Sequence, residues 1–214
     1  MRTRIAFVAP ALLAAALVAG CSSTRGHQNS KALEDSIRDT VAAVDTCGSC
    51  RSAALASMNT VLAEPIENLD ARYATFDGCV DRVVASDASL RSAVAAMKSS
   101  AAERYRSWGE ESLTYDDDEM QVRSQKGRSE ARESFRGIEI DVDAMLLQSA
   151  AFVTYLSDFR RVLSNDLSRK GVADVRDFAE KAQDSSDDLD GMGKDLRKKL
   201  GTAADAMTSV ASAN

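Results

Sequence analysis

The chain has 214 residues, 44% of them hydrophobic and 28% charged, with two prolines and 5% aromatics. So few helix breakers among Ala-, Leu-, Asp- and Arg-rich usage fit an all-helical protein. A single histidine excludes His-based triads and His-rich metal sites, and a formal charge of −6 makes nucleic acid a poor partner.

The first twenty residues read as a leader. Arg2 and Arg4 precede an apolar run, Ile5 to Ala16, broken only by Pro10. Leu17-Val18-Ala19-Gly20-Cys21 then Ser22-Ser23 resembles a bacterial lipoprotein signal with its lipobox, which implies removal of residues 1–20 and lipidation of Cys21, palmitate included. An ordinary secreted leader also ends in small residues but needs no cysteine after them; an uncleaved anchor helix is the other alternative. Ser22, in place of Asp, leans towards the outer membrane over the inner. Loss of Arg2 and Arg4 takes the formal charge from −6 to −8. No later stretch reads as a span, since the most apolar one, Ala144 to Leu156, is short and interrupted by Gln148 and Ser149. The expected membrane contact is therefore the lipid on Cys21 alone.

Residues 21–30 are polar, include His27, and read as a lipidated cysteine with a flexible tether. A single elongated helical domain is expected over 31–211. Its first helix, Lys31 to about Leu62, places Leu33, Ile37, Thr40, Val44, Cys47, Ala54, Met58 and Val61 on one face, with Cys47-Gly48-Ser49-Cys50 as a candidate kink. Ala63-Glu64-Pro65 reads as a turn, so the second helix should start near Pro65 and pair antiparallel with the first. From Ile66 to Trp108 a 3/4 spacing through Leu69, Tyr73, Phe76, Val80, Val83, Asp87, Leu90, Val94, Met97, Ala101 and Arg104 makes a seam of period 3.5, which must wind against another helix. Only Asp87 and Arg104 are polar on it; they are candidates for fixing register or for facing a partner.

Asp116-Asp117-Asp118 suits the positive end of a helix dipole and lacks the glycine and distal glutamate of a calcium loop, so it reads as a helix start. The third helix, about Asp117 to Ser168, carries Ala131, Phe135, Ile138, Val142, Met145, Ser149, Phe152, Leu156, Phe159 and Leu163. Its polar opening, Gln121, Ser124 and Arg128, is expected to pack loosely. Leu146, Leu147, Val153, Tyr155 and Val162 widen its later face towards several neighbours. Arg169-Lys170-Gly171 reads as a helix stop. A fourth helix from Val172 to about Ala211 has Val175, Phe178, Ala182, Ser185, Leu189, Met192, Leu196, Leu200, Ala203, Met207 and Val210 on its seam. Its acidic run Asp184–Asp190 and basic run Lys194–Lys199 are solvated faces or a docking surface.

Three thiols remain beyond Cys21: Cys47, Cys50 and Cys79. Folding about the Ala63–Pro65 turn brings together residues whose numbers sum to about 127, so Cys79 with Cys47 or with Cys50 is a candidate disulfide stapling the hairpin. The rival reading is a redox pair, Cys47-x-x-Cys50, without the βαβ surroundings of thioredoxins. A three-cysteine metal site lacks a fourth ligand.

Ile66-Glu67-Asn68-Leu69-Asp70-Ala71-Arg72-Tyr73, Tyr105-Arg106-Ser107-Trp108-Gly109-Glu110-Glu111 and Phe159-Arg160-Arg161-Val162-Leu163 resemble a family of bacterial helical lipoproteins catalogued as domain of unknown function 2959. The likeness covers about Lys31 to Leu200. It departs at Ser164-Asn165-Asp166-Leu167-Ser168, where the family has Lys-His-Asn-Leu-Asn. The resemblance implies a helical fold and no activity.

The expectation is thus all-α: an elongated antiparallel coiled coil or bundle of about four long helices, needing no cofactor. Its expected work is that of a non-catalytic structural or adaptor element of the cell envelope, facing the periplasm. Envelope proteins or a second copy are its expected partners. Alternatives are a periplasmic thiol–disulfide protein using Cys47 and Cys50, and a small-molecule binder near Phe135, Phe152 and Phe159.

Overall fold

The computed structural model describes residues 21–63 and 67–211. Expectations placed on residues 1–20, on Glu64 and Pro65, and on Ile66 at the head of the α2 seam lie outside the described residues. Four long helices, α1 (Cys21–Leu62), α2 (Leu69–Ser112), α3 (Asp118–Asn165) and α5 (Arg176–Ala211), are joined by short connections, with a brief α4 (Arg169–Asp174) before the last. At 1.5 Å per residue the long helices span about 55–70 Å. In cross-section they form a ring. α1 packs on α2 and α5, and α3 packs on the same two. Across the diagonals, α1 and α3 do not approach closely, nor do α2 and α5, among the described residues.

The seams are what hold the ring. On α3 the buried set is Phe135, Ile138, Val142, Met145, Ser149, Phe152, Leu156, Phe159 and Leu163, the expected face position by position. Phe76, Phe152 and Phe159 are fully buried, and Phe76 tilts against Phe159 with ring centroids 4.8 Å apart. Burial of each contributes roughly 2–3 kcal/mol. Small shifts occur where aromatic and small residues compete. Tyr105, not Arg104, turns inward at the end of the α2 seam, and Ala179 and Ala204 replace Phe178 and Ala203 on α5. Leu147, expected to broaden the core face of α3, is 76% exposed instead.

Three elements differ from expectation. The segment read as a tether is helical from Cys21 onward, and Asn29 Nδ2 donates to Ser107 Oγ at 2.8 Å while Arg104 Nε donates to Ser30 Oγ at 3.1 Å. Cys47 to Cys50 continues α1 without interruption. Arg169-Lys170-Gly171 starts a helix where a stop was expected, because Ser168 caps it by accepting from Gly171 N at 3.3 Å. The acidic start of α3 is as read: Asp117 Oδ1 accepts from Met120 N at 2.8 Å. Its polar opening is not loose, since Trp108 Nε1 donates to Ser124 Oγ at 2.9 Å and Arg128 Nη1 to the Tyr105 carbonyl at 3.3 Å.

The α1–α2 register also differs. Asn68 sits in the left-handed region, φ 53 and ψ 37, so α2 starts at Leu69. Moving the fold's pivot about three residues moves the pairing sum by about six, to about 133: Thr40 faces Ala93, and Cys47 faces Ser86.

Candidate functional site

Polar side chains gather at one level of the bundle, and every neighbouring pair of helices contributes. Arg51 of α1 is 5% exposed; its Nε donates to Ser186 Oγ on α5 at 3.1 Å, and its Nη2 donates to Asp190. Gln148 Nε2 on α3 donates to Ser185 Oγ on α5 at 3.3 Å. Ser149 Oγ donates to Asp87 Oδ1 on α2 at 2.6 Å, and Arg91 Nε reaches the same carboxylate at 2.8 Å. Cys47 Sγ donates to the Ser86 carbonyl at 3.1 Å, closing the ring between α1 and α2. Among the described residues no buried side-chain nitrogen or oxygen lacks a partner.

A layer of this kind specifies alignment. Sliding one helix by a turn would strand a guanidinium and several hydroxyls in a low-dielectric core, which costs far more than it does in water. Asp87 therefore crosses to α3. Arg104 crosses to α1 through Ser30 and lies over the rings of Tyr105 and Trp108, 5.6 and 5.2 Å from their centroids.

The cysteines do not converge in this register. Cys47, Cys50 and Cys79 are free thiols, the first and last buried. With pairing near 133, Cys79 lies level with Ala54, about two turns from Cys47 and one from Cys50. The expected staple at 127 is thus corrected by roughly a heptad. Cys79 Sγ accepts from Arg82 Nη2 at 2.9 Å on its own helix. Burial pushes the Cys47 thiol up, and the Asp87 carboxylate adds to that. It also sits mid-helix, away from any helix N-terminus that would favour a thiolate.

Phe152 and Phe159 are core residues, while Phe135 lies at the edge of a groove between α2 and α3. No cluster of His, Cys, Asp and Glu among the described residues could hold a metal. No family model, curated protein or solved structure matches the chain.

Arg51 escaped the sequence reading, yet it left a trace. The α1 seam runs from Cys47 to Ala54 with one step missing, and position 51 is that step. Three residues of the acidic and basic runs of α5 make cross-helix pairs: Asp190 with Arg51, Arg197 with Asp45 at 2.7 Å, and Lys199 with Asp141 at 2.5 Å.

Proposed function

We propose that this chain is a non-catalytic, lipid-anchored scaffold of the bacterial envelope, held on its membrane by an acyl group on Cys21 and standing into the periplasm as a spacer or adaptor. The observation that carries the reading is the placement of the ends. The Cys21 end of α1 lies level with the α2–α3 turn, whereas the Leu62 end of α1 and α4 lie at the opposite end of the rod, about 60 Å away. A core continuous along that length and a hydrogen-bonded layer across it suit a rigid element better than a moving one.

Labelling cells with an alkyne fatty acid tests the anchor. The full chain should take the label and sediment with membranes, and Cys21→Ser should do neither; an unlabelled full chain would remove the anchor from the reading. A photocrosslinker at Lys170, on the far end, should capture an envelope protein that the same group at Lys126, beside the α2–α3 turn, does not. A strictly monomeric rod that captures nothing would count against the adaptor role. Against the rival thiol–disulfide reading stand the burial of Cys47 and its mid-helix position. That rival requires a trapped mixed disulfide when Cys50 is changed to alanine.

A further inference from the structure

The α2–α3 interface opens outward near the α2–α3 turn into two adjoining grooves of about 530 and 340 Å3. Arginines dominate one wall. Arg128, Arg132 and Arg136 recur every four residues along α3, about 6 Å apart, and Arg106 faces them from α2. The floor is formed by the edges of Tyr105 and Phe135, tilted against each other at 6.2 Å and 5% and 4% exposed.

These arginines are not equivalent. Arg106 is bound on its own helix by Glu103 and Glu110. Arg128 is seated against Gly109, where a Cβ would come within 2.1 Å of its Nη1, and it donates to the Tyr105 carbonyl. Arg132 and Arg136 make no side-chain hydrogen bond or ion pair among the described residues, as is true of Arg169, Arg176, Lys194 and Lys198, whereas Lys31, Arg38, Arg91, Arg123 and Arg161 have carboxylate partners. Glu133 and Glu139 also line the smaller groove, within no ion-pair contact of Arg132 or Arg136 but equal to them in number.

We propose that this groove binds the phosphate group of a phosphate ester whose apolar part lies on Tyr105 and Phe135. Two guanidiniums one turn apart can share one tetrahedral anion, each offering a pair of N–H donors in its planar fork. The groove volume suits a ligand of small-molecule size. A soluble phosphate and a phospholipid headgroup carry the same chemistry, so the probes must separate them.

Trp108, the only tryptophan, donates to Ser124 across the α2–α3 interface, and its fluorescence reports on that interface. Purified full chain would be titrated with inorganic phosphate, with dihexanoyl phosphatidylglycerol below its micelle concentration, and with dihexanoylglycerol, which lacks phosphate. The expected result is saturable binding of the phospholipid, weakened at least tenfold in the double variant Arg132→Gln, Arg136→Gln with its melting temperature unchanged. Equal affinity for inorganic phosphate also supports the site and assigns it to soluble phosphates. No saturable binding by either phosphate probe, equal binding of dihexanoylglycerol, or unaltered affinity in the double variant would overturn the proposal.

Discussion

At the residue scale, the Arg51–Asp190 pair is lopsided: the arginine side chain is 6% exposed and the aspartate 61%. Removing each partner therefore has different consequences. Asp190→Ala leaves a guanidinium in the core with only Ser186 to bind it, at an expected cost of about 2–3 kcal/mol. Arg51→Met keeps volume, removes the desolvated charge and leaves Asp190 in water, so its effect should stay within about 1 kcal/mol of zero. Urea denaturation of the two variants checks the order; the reverse order would mean that Arg51 is reached by water. Cys47 and Tyr105 give a pH test. Burial raises both, so each binds its proton more tightly folded than unfolded. Stability should be level through neutral pH and fall as pH rises past the unfolded values of about 8.5 for Cys and about 10 for Tyr. Cys47→Ala should remove the earlier part of that fall, measured by urea midpoints from pH 7 to 10.5.

At the element scale, what was legible followed from period. Leu33 to Val61, Phe135 to Leu163 and most of Phe76 to Met97 are buried as their spacing predicts, because a 3.5 repeat admits only one inward face. The missed features depend on partners distant in sequence. The polar beginning of α1 is held by Ser107 and Arg104, more than seventy residues on. The register turned on Asn68, a non-glycine residue in a left-handed conformation that no local pattern announces. The groove arginines were invisible for the same reason, since only Arg128 had been placed on a seam. Glycines separate local from tertiary cost. At Gly137, Gly191 and Gly201 an added Cβ meets nothing within 4 Å, so alanine at each should stabilise its helix by about 0.5–1 kcal/mol. At Gly171 the same Cβ would come 1.8 Å from the Asp166 carbonyl oxygen, and alanine should destabilise by roughly 1–3 kcal/mol. Thermal melting of the four variants checks the two signs.

At the scale of the whole molecule, the up-and-down path keeps most contacts between neighbours in sequence; α1 against α5, with a small contact of α1 on α4, brings the first helix to the end of the chain. The α1–α2 hairpin should therefore order first and α5 last, closing the ring through Arg51, Ser186 and Asp190. Hydrogen exchange should show α5 opening before the first hairpin, and simultaneous opening of all four helices would contradict this.

The polar layer that spans the helices has one more consequence. Residues at a given height are matched on all four helices, so the chain behaves as a ruler graduated in heptads. Cutting seven residues at the same height from α1, α2, α3 and α5 preserves every inward face and shortens the particle by about 10 Å. Small-angle scattering should register that loss with little change in melting temperature. The same cut in α1 alone would misalign Cys47 and Arg51 with their partners and unfold the bundle at lower temperature. If the protein measures a gap in the envelope, the trimmed ruler will be well folded and will fail in the cell.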